Sequence, residues 1–383
     1  MRKKSKDKLN IAMIGHKRIP SREGGVEVVV EELATRMVQR GHEVTCYNRG
    51  GHHVSGKEYD NGFRQEEYRG VKIKRIPVIN LKGVAAVISS VVASFIVAFK
   101  RYDVIHFHAE GPSLLCWFPK LFGKRIIVTI HGLDHKRAKW GKLGKNYILL
   151  GEKSAVKYAD EIIVLSESTK EYFKDKYNRE TKFIPNGVTQ HKRLPANKIK
   201  NKWNLENESY ILFLGRIVPE KGLTYLVEAY SKLNTSKKLV IAGGVSDTSE
   251  YGTELKKMAS GNRNIIFTGF VQGEILEELY SNAYIYVLPS DLEGMPLSLL
   301  EAMSYGNFCL TSDIPECAEV IESVGETFKK GDVKDLALKM KKLCGEEEYV
   351  HRIKAISSKY ICDKYNWDVV VDKTLNLYRK SEG

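Results

Sequence analysis

Residues 283–301, AYIYVLPSDLEGMPLSLLE, contain the pattern that decides the fold. A short apolar run ending at Leu288 has the length of a buried strand. An acidic loop with Gly294 then leads into a helix that should begin near Pro296, since proline suits the first helical turn. A strand that passes through such a loop into a helix is half of a β-α-β unit. We therefore expect the same alternation elsewhere in the chain.

The alternation occurs twice along the 383 residues. Strands are predicted in the first half at 10–15, 43–48, 104–108, 125–131 and 161–166, and in the second half at 211–214, 238–242, 264–268, 283–288 and 307–311. Short Val- and Ile-rich strands separated by helices are typical of mainly parallel sheets. A chain of this length is also too long for one ordinary domain and suits two.

The polar, basic stretch 186–208 separates the two halves and is predicted to be a linker and hinge. We predict an N-terminal domain over 1–190, a C-terminal domain over 205–358, and a final helical segment over 359–383. The last segment has apolar residues at helical spacing around Trp367. It should therefore be a packed helix.

Composition favours a globular cytoplasmic protein with an anionic partner. Hydrophobic residues make up 43% and charged residues 28%, and the charged start leads directly into a strand without a signal-peptide pattern. The six cysteines are scattered, which predicts reduced thiols. The net charge of +14 suits nucleic acid, an anionic membrane face or a phosphorylated substrate.

One segment, Gly83–Phe99, carries no charge over 17 residues, which is the lower limit for crossing a bilayer. It is rich in Ala, Ser and Val, lies between basic residues and is followed at once by a strand. These features favour a helix that covers the sheet or dips into a membrane surface over a membrane span.

Glu293 and Glu301 bracket the junction between the acidic loop and its helix. Gly294 lets the backbone approach a ligand, and the free N–H groups of the first turn near Pro296 favour a phosphate. Glu301 is placed to accept hydrogen bonds from a ribose diol, and Glu293 would face a sugar. The alternative is that both are ordinary surface glutamates.

The seven residues between Glu293 and Glu301 give a spacing that resembles the E-x7-E motif of glycosyltransferase family 4, whose members are retaining enzymes with the GT-B fold. The resemblance implies two Rossmann-like, doubly wound α/β domains facing across a cleft, and a C-terminal helix that crosses back to the N-terminal domain. It implies a nucleotide-sugar donor and transfer with retention. Four further residues then belong to the donor-binding loop: Gly294, Met295, Pro296 and Leu297.

A second match is residues 215–222, GRIVPEKG, which are similar to the family's Gly-Arg-x-x-x-x-Lys-Gly loop. The resemblance places Arg216 and Lys221 on the donor diphosphate and makes them catalytic candidates together with Glu293. The residue types fit, because a planar guanidinium and a point charge would neutralise a leaving diphosphate without metal. The alternative is two solvated cations on a loop.

Two matches lie in the first half. Residues 21–27, SREGGVE, resemble the family's glycine-rich loop, which implies that Gly24 and Gly25 lie beside the donor phosphates. His131 ends a predicted strand, at the edge where ligands gather in open α/β sheets. The resemblance places it beside the transferred sugar as a catalytic residue.

His131 has two alternative interpretations, a hydrogen-bonded core histidine or a metal ligand, the latter with His106, His108 and His135. No acidic residues cluster in the sequence to complete such a metal site, and Arg216 and Lys221 already supply positive charge. We therefore expect a metal-independent enzyme without a cofactor.

Residues 131–140, HGLDHKRAKW, resemble a loop of a rhamnosyltransferase-like subgroup of bacterial polysaccharide-assembly enzymes. The resemblance makes Asp134, Arg137 and Lys139 candidates for binding the acceptor or a lipid phosphate; the alternative is an exposed charged loop. It implies a saccharide or polyprenyl-diphosphate-linked acceptor and cell-surface polysaccharide synthesis. For the donor, we expect a UDP- or dTDP-sugar.

Two other functions compete with glycosyl transfer. A GT-B-type sugar-nucleotide epimerase or phosphorylase would use similar chemistry. A non-enzymatic nucleic-acid-binding protein is favoured only by net charge, since no nucleic-acid motif is present, and we expect no such partner. Peripheral contact with the anionic inner face of the cell membrane explains the charge better.

Overall fold

The computed structural model describes residues 8–50, 66–78, 84–137, 140–244 and 249–379. Internal contacts divide the chain into two compact units. Unit 1 consists of Met1–Asn186 and Trp367–Gly383, and unit 2 is Gly187–Asn366. Each unit is built around one mainly parallel sheet, which confirms the predicted α/β class.

The elements of unit 1 alternate between strands and helices. Its strands are β1 (Asn10–Ile14), β2 (Glu43–Arg49), β3 (Glu67–Tyr68), β4 (Val71–Ile76), β5 (Val104–His108), β6 (Arg125–Ile130), β7 (Glu161–Val164) and β8 (Lys182–Phe183). Its helices are α1 (Gly25–Gln39), α2 (Val84–Phe99), α3 (Trp117–Leu121), α4 (Lys142–Tyr158), α5 (Glu167–Tyr177) and the C-terminal α14 (Trp367–Tyr378).

The sheet of unit 1 has the strand order β3-β4-β2-β1-β5-β6-β7-β8 and is parallel except for β3. Its central strands are buried along nearly their whole length, as expected of a parallel sheet covered on both faces. Strands β3, β4 and β8 are not among the strands predicted from the sequence. Strands β3 and β8 have only two residues each, and half of the six residues in β4, Val71–Ile76, are charged. Strand β4 also lies next to the edge strand β3.

Helix α14 groups with unit 1 through its apolar stripe and through polar contacts. The hydroxyl of Tyr378 lies 2.6 Å from Nδ1 of His106 in β5, and Arg125 donates to the carbonyl of Leu377 at 2.8 Å. Arg40, which follows α1, pairs with Asp368 at 3.1 Å. The C-terminal helix is thereby attached to the sheet and to α1.

Unit 2 repeats the alternation. Its strands are β9 (Tyr210–Leu214), β10 (Lys238–Ala242), β11 (Ile265–Gly269), β12 (Ile285–Leu288), β13 (Phe308–Ser312) and β14 (Glu326–Phe328). Its helices are α6 (Lys198–Trp203), α7 (Leu223–Ser231), α8 (Ser249–Ala259), α9 (Glu274–Asn282), α10 (Leu297–Ser304), α11 (Pro315–Ile321), α12 (Val333–Gly345) and α13 (Glu347–Lys364). The strands are all parallel, in the order β11-β10-β9-β12-β13-β14.

The boundaries of the units differ from the predicted ones. The division falls between Asn186 and Gly187, and residue 359, predicted to start the last segment, lies inside α13 in unit 2. The stretch predicted as a linker contains α6, where buried Glu278 accepts the backbone N–H groups of Asn197 and Ile199, both at 3.0 Å. The polar composition of the stretch hid this packed helix.

The uncharged segment forms α2, a helix of 16 residues. Ala93 and Val97 are buried in the core of unit 1, whereas Phe95 and Phe99 are exposed. None of the helices in the described ranges is long and apolar enough to cross a membrane.

Acidification should destabilise unit 1 through His106. Burial lowers the pKa of this histidine from 6.5 to about 3. Between these values the unfolded chain binds more protons, so the free energy of unfolding falls as the pH falls. Lowering the pH from 7.5 to 5.5 should cost about 1.4 kcal/mol through this residue. Urea denaturation at the two pH values measures the loss.

The test variant is His106→Gln. The control is His351→Gln, which changes an exposed histidine in unit 2. The His106 variant should lose about 1.4 kcal/mol less than wild type on acidification, and the His351 variant should behave like wild type. An equal loss in all three proteins would contradict the assignment.

Candidate functional site

The loops predicted to bind a ligand lie where the strand order of unit 2 changes direction. Strands β9 and β12 are parallel neighbours, with Ile211 opposite Ile285. Strands β10 and β11 continue on one side of this pair, and β13 and β14 on the other. Connections that leave in opposite directions open a crevice at the carboxyl ends of the two strands, where open α/β sheets bind ligands. Residues 215–222 and 289–296 line this edge.

Close backbone contact fixes these two loops against each other. Gly222 has φ +64°, and a Cβ on it would lie 2.0 Å from the carbonyl oxygen of Pro289. Glycine is therefore required at this position, since both the conformation and the space exclude a side chain. The N–H of Asp291 also donates to the carbonyl of Glu220 at 2.9 Å. The loops hold their functional side chains at fixed separations.

Lys221 and Glu293 meet across the two loops. Lys221 Nζ lies 2.5 Å from Glu293 Oε1, and the hydroxyl of Ser290 donates to the same oxygen at 2.6 Å. The two charged side chains are only 14% and 10% exposed. Such restricted groups interact strongly with a charged ligand, because little water screens them.

Arg216 follows β9 in a loop whose backbone is tied to the next strand. The N–H groups of Gly215 and Ile217 donate to the carbonyls of Ala242 and Gly244, each at 3.0 Å. The guanidinium itself is partly exposed, and no ion-pair partner for it is found in the described part of the chain. It can therefore offer its planar set of donors to an anion.

Helix α10 begins one residue later than predicted. Pro296 has ψ 105°, which is extended, so it precedes the helix and Leu297 is the first helical residue. Glu301 lies one turn further and accepts from the hydroxyl of Tyr280 at 3.2 Å. Burial, and next the Glu301 carboxylate, raise the pKa of Tyr280, so it stays a neutral donor. The loop residues Gly294 and Met295 are buried between Glu293 and the helix.

Unit 1 has the equivalent edge between β1 and β5. Gly24 and Gly25 lie at the start of α1, after β1. A Cβ on Gly24 would lie 2.5 Å from the carboxylate of Glu27, so glycine leaves room for that side chain. Glu27 in turn accepts the N–H of Lys17 at 2.9 Å. The two predicted glycines thus lie at the carboxyl edge of the sheet of unit 1.

His131 follows β6 directly and is partly buried next to the buried His106 and His108. Its Nε2 lies 3.0 Å from Nδ1 of His108, and His106 bonds Thr129 at 2.7 Å. Burial lowers the pKa of His131 to about 4, with Asp134 acting in the opposite direction. A neutral imidazole therefore stands at this strand end near pH 7.

Two of the three residues predicted to bind the acceptor lie in the described part of the chain, and both are paired with other groups of unit 1. Asp134 and Arg137 pair with each other at 2.6 Å, and the N–H of Asp134 donates to Glu110 at 3.0 Å. Lys139 lies outside the described residues. The described part of the loop is therefore ordered by its own polar contacts.

Unit 1 also contains a cluster of side chains that the sequence did not predict. Glu110, His135 and Glu152 lie close together. The expectation that no acidic residues cluster near the histidines was therefore wrong. Burial, and next the Asp134 carboxylate, raise the pKa of Glu110 well above its ordinary value. The one sequence signal for this cluster is the position of Glu110, which comes shortly after β5 at the carboxyl edge of the sheet. The other two residues come from distant parts of the sequence.

Two protein-family models together match nearly the whole chain. "Glycosyltransferase Family 4" matches residues 23–191, and "Glycosyl transferases group 1" matches residues 195–373. The matched regions correspond to the main part of unit 1 and to unit 2.

Similar proteins agree with this assignment. An uncharacterised glycosyltransferase of Methanocaldococcus jannaschii is 26% identical over 97% of this chain and 98% of its own length. The capsular polysaccharide biosynthesis glycosyltransferase CapM of Staphylococcus aureus is 26% identical over 67% of this chain and 72% of its own. The solved structure of Anabaena HepE in complex with UDP and glucose superposes with a TM-score of 0.79 at 14% identity, covering 96% of this chain and 98% of that one.

The two matched families, the full-length relative and the two parallel α/β units lead to one conclusion: the chain belongs to glycosyltransferase family 4 and is a glycosyltransferase of GT-B fold.

Proposed function

We propose that this enzyme transfers a sugar from a UDP- or dTDP-sugar to a saccharide or polyprenyl-diphosphate-linked acceptor, with retention, in bacterial cell-surface polysaccharide synthesis. The observation that carries the donor assignment is the pairing of the two loops at the switch point of unit 2, which brings Lys221 within 2.5 Å of Glu293. The UDP and glucose bound by HepE and the capsular role in the name of CapM support the substrate classes.

Each side chain of unit 2 takes a distinct role in this proposal. Arg216 and Lys221 hold the diphosphate and stabilise the charge that develops on it as the glycosidic bond to the donor breaks. Glu301 accepts hydrogen bonds from the ribose. In the first turn of α10, the N–H of Leu299 donates to the carbonyl of Pro296 at 3.1 Å. The described residues supply no side-chain cap for this turn, so the N–H groups of Leu297 and Ser298 can bind a donor oxygen. Positive charge from the protein replaces the metal that a diphosphate leaving group otherwise needs.

Glu293 is assigned to the donor sugar. Its Oε1 accepts hydrogen bonds from both Lys221 and Ser290, which disperse the negative charge of the carboxylate. A carboxylate held in this way binds sugar hydroxyls better than it attacks an anomeric carbon. We therefore assign retention to attack from the leaving-group face, with a phosphate oxygen taking the proton of the acceptor.

In unit 1, we assign Gly24 and Gly25 to the donor phosphates and His131 to the transferred sugar. Neutral His131 can donate one hydrogen bond to a sugar hydroxyl or accept one from it. Asp134 and Arg137 would contact the acceptor through the pair they form. Lys139 keeps the role of acceptor binding given by the sequence.

Donor binding should raise the melting temperature of the protein. Among UDP-, dTDP- and GDP-sugars, the UDP or dTDP compounds should stabilise it by about 2.7 kcal/mol at a hundred times their Kd. Arg216→Ala and Glu301→Ala should weaken binding at least about tenfold, because each removes a hydrogen bond to or from a charged group. Thermal shift titrations measure both effects.

Arg263→Ala is the control for charge, since this exposed arginine precedes β11 at the opposite end of the sheet. It should bind the donor like wild type. Equal weakening in the Arg263 variant, or stabilisation by no nucleotide sugar, would contradict the donor site.

The product should retain the anomeric configuration of the donor. NMR of the intact glycosidic product gives the configuration through the one-bond C1–H1 coupling constant of the transferred sugar. Glu293→Gln, which keeps the shape of the side chain, should lower kcat about 10²-fold without changing the configuration. An inverted product would contradict the proposed attack, and accumulation of a glycosyl-enzyme adduct on Glu293 would show that it is a nucleophile.

An exposed apolar patch on unit 1 supports contact with a membrane. The patch consists of five side chains on and around α2 and α3: Phe95, Phe99, Trp117, Leu121 and Phe122. Exposed Lys100 and Arg101 follow α2 directly. Aromatic side chains beside basic ones suit the interface of an anionic bilayer. A polyprenyl-diphosphate acceptor would be reached from the inner face of the cell membrane.

The protein should float with vesicles that contain phosphatidylglycerol more than with vesicles of phosphatidylcholine alone. The double variant Phe99→Ser, Leu121→Ser should lose at least about tenfold in binding, since each side chain contributes roughly 1.5 kcal/mol or more when it is buried. Leu338→Ser is the control, because Leu338 is exposed to a similar degree, 66% against 73% for Leu121, and lies in unit 2. Equal flotation with both vesicle types would contradict an electrostatic contribution.

A further inference from the structure

The cluster of Glu110, His135 and Glu152 combines side chains from three parts of unit 1. Glu110 follows β5, His135 lies in a 3₁₀ turn after β6, and Glu152 is in α4. One potential ligand atom from each residue lies within 4.8 Å of the other two. Both glutamates are 0% exposed and the side chain of His135 is 15% exposed, so little of the cluster is open to solvent.

Each residue of the cluster presents a buried atom that is not hydrogen bonded. These atoms are Glu110 Oε2, His135 Nδ1 and Glu152 Oε2, which have no hydrogen-bond partner among the described residues. The separation of His135 Nδ1 from Glu152 Oε2 is 3.6 Å, too long for a hydrogen bond. Buried carboxylate oxygens are rarely left without a partner, because desolvation is costly. A cation shared by the three side chains would satisfy these atoms.

The remaining atoms of the two glutamates are held by other side chains and backbone. Glu110 Oε1 accepts the N–H of Asp134 at 3.0 Å. Glu152 Oε1 accepts from Lys176 at 3.0 Å and from Tyr172 at 2.9 Å, and also from the hydroxyl of Tyr177. Metal-binding side chains are commonly oriented in this way, with one atom fixed by the surroundings and the other directed at the ion.

We propose that Glu110, His135 and Glu152 bind one divalent transition-metal ion of the Zn²⁺ or Mn²⁺ type. Ligand distances of 2.0–2.2 Å place two ligands of one ion about 3–3.5 Å apart, close to the 3.6 Å observed for one pair. The imidazole ligand favours Zn²⁺ over Mg²⁺ and Ca²⁺, which prefer oxygen, and the two carboxylates also suit Mn²⁺. Three protein ligands leave a coordination position for water.

The ion would tie the turn that contains Asp134 to β5 and α4. This turn follows His131, so the ion would order the loop assigned to the acceptor. The cluster belongs to unit 1, whereas Arg216 and Lys221 belong to unit 2, so the proposed donor chemistry still needs no metal. Metal binding by the cluster is independent of the proposed function and is tested without substrates.

The test uses the full chain after chelation and removal of the chelator. Titration calorimetry with Zn²⁺, Mn²⁺ and Mg²⁺ should show one site that binds Zn²⁺ at least a hundredfold more tightly than Mg²⁺. Glu110→Gln, Glu152→Gln and His135→Gln should each weaken Zn²⁺ binding at least tenfold. His351→Gln, which removes an exposed histidine of unit 2, is the control and should bind like wild type.

A spectroscopic measurement keeps the test valid if a glutamate variant does not fold. Co²⁺ bound to wild type should show visible d–d absorption, and in His135→Gln, whose altered side chain is partly exposed, the bands should shift or disappear. The proposal is overturned if wild type binds none of these ions at one equivalent. It is equally overturned if His135→Gln binds and absorbs like wild type, or if Mg²⁺ binds as tightly as Zn²⁺.

Discussion

The close approach of the loops after β9 and β12 is the constraint on which the donor site depends. Parallel order brings the carboxyl ends of both strands to one edge, and the reversal of strand order at this pair opens space between their connections. Gly222 lets the loops touch, since any side chain would collide with the carbonyl of Pro289. The ion pair of Lys221 and Glu293 follows from this contact. A change at Gly222 would therefore disturb the site without altering any charged residue.

Much of this arrangement is predictable, because the interacting residues lie in short segments next to strands. A strand followed by Gly-Arg or by an acidic loop gives both the place and the chemistry of Arg216, Lys221 and Glu293. The start of α10 shows the limit of such reasoning: proline suits a first helical turn, yet Pro296 keeps an extended ψ and precedes the helix. The residue preferences of the local sequence predict where the loop meets the helix, and tertiary packing determines the residue at which the helix begins.

The cluster in unit 1 shows what the sequence could not reveal. Glu110, His135 and Glu152 are brought together by the pairing of β5 with β6 and by the packing of α4, none of which is encoded by local spacing. The helix α6 was missed for a related reason, since its backbone is satisfied by Glu278 from a distant helix. Interactions between residues far apart in sequence need the fold to be known before they can be seen.

Arg216 and Lys221 are assigned to the diphosphate of the donor, and a crystal structure of the enzyme with UDP would show whether they bind it. We expect phosphate oxygens within hydrogen-bond distance of both cations, with the ribose hydroxyls donating to Glu301. Lys221 would then share its charge between the phosphate and Glu293, with which it pairs at 2.5 Å. A diphosphate bound elsewhere, with these two side chains unchanged and not in contact with it, would exclude this assignment.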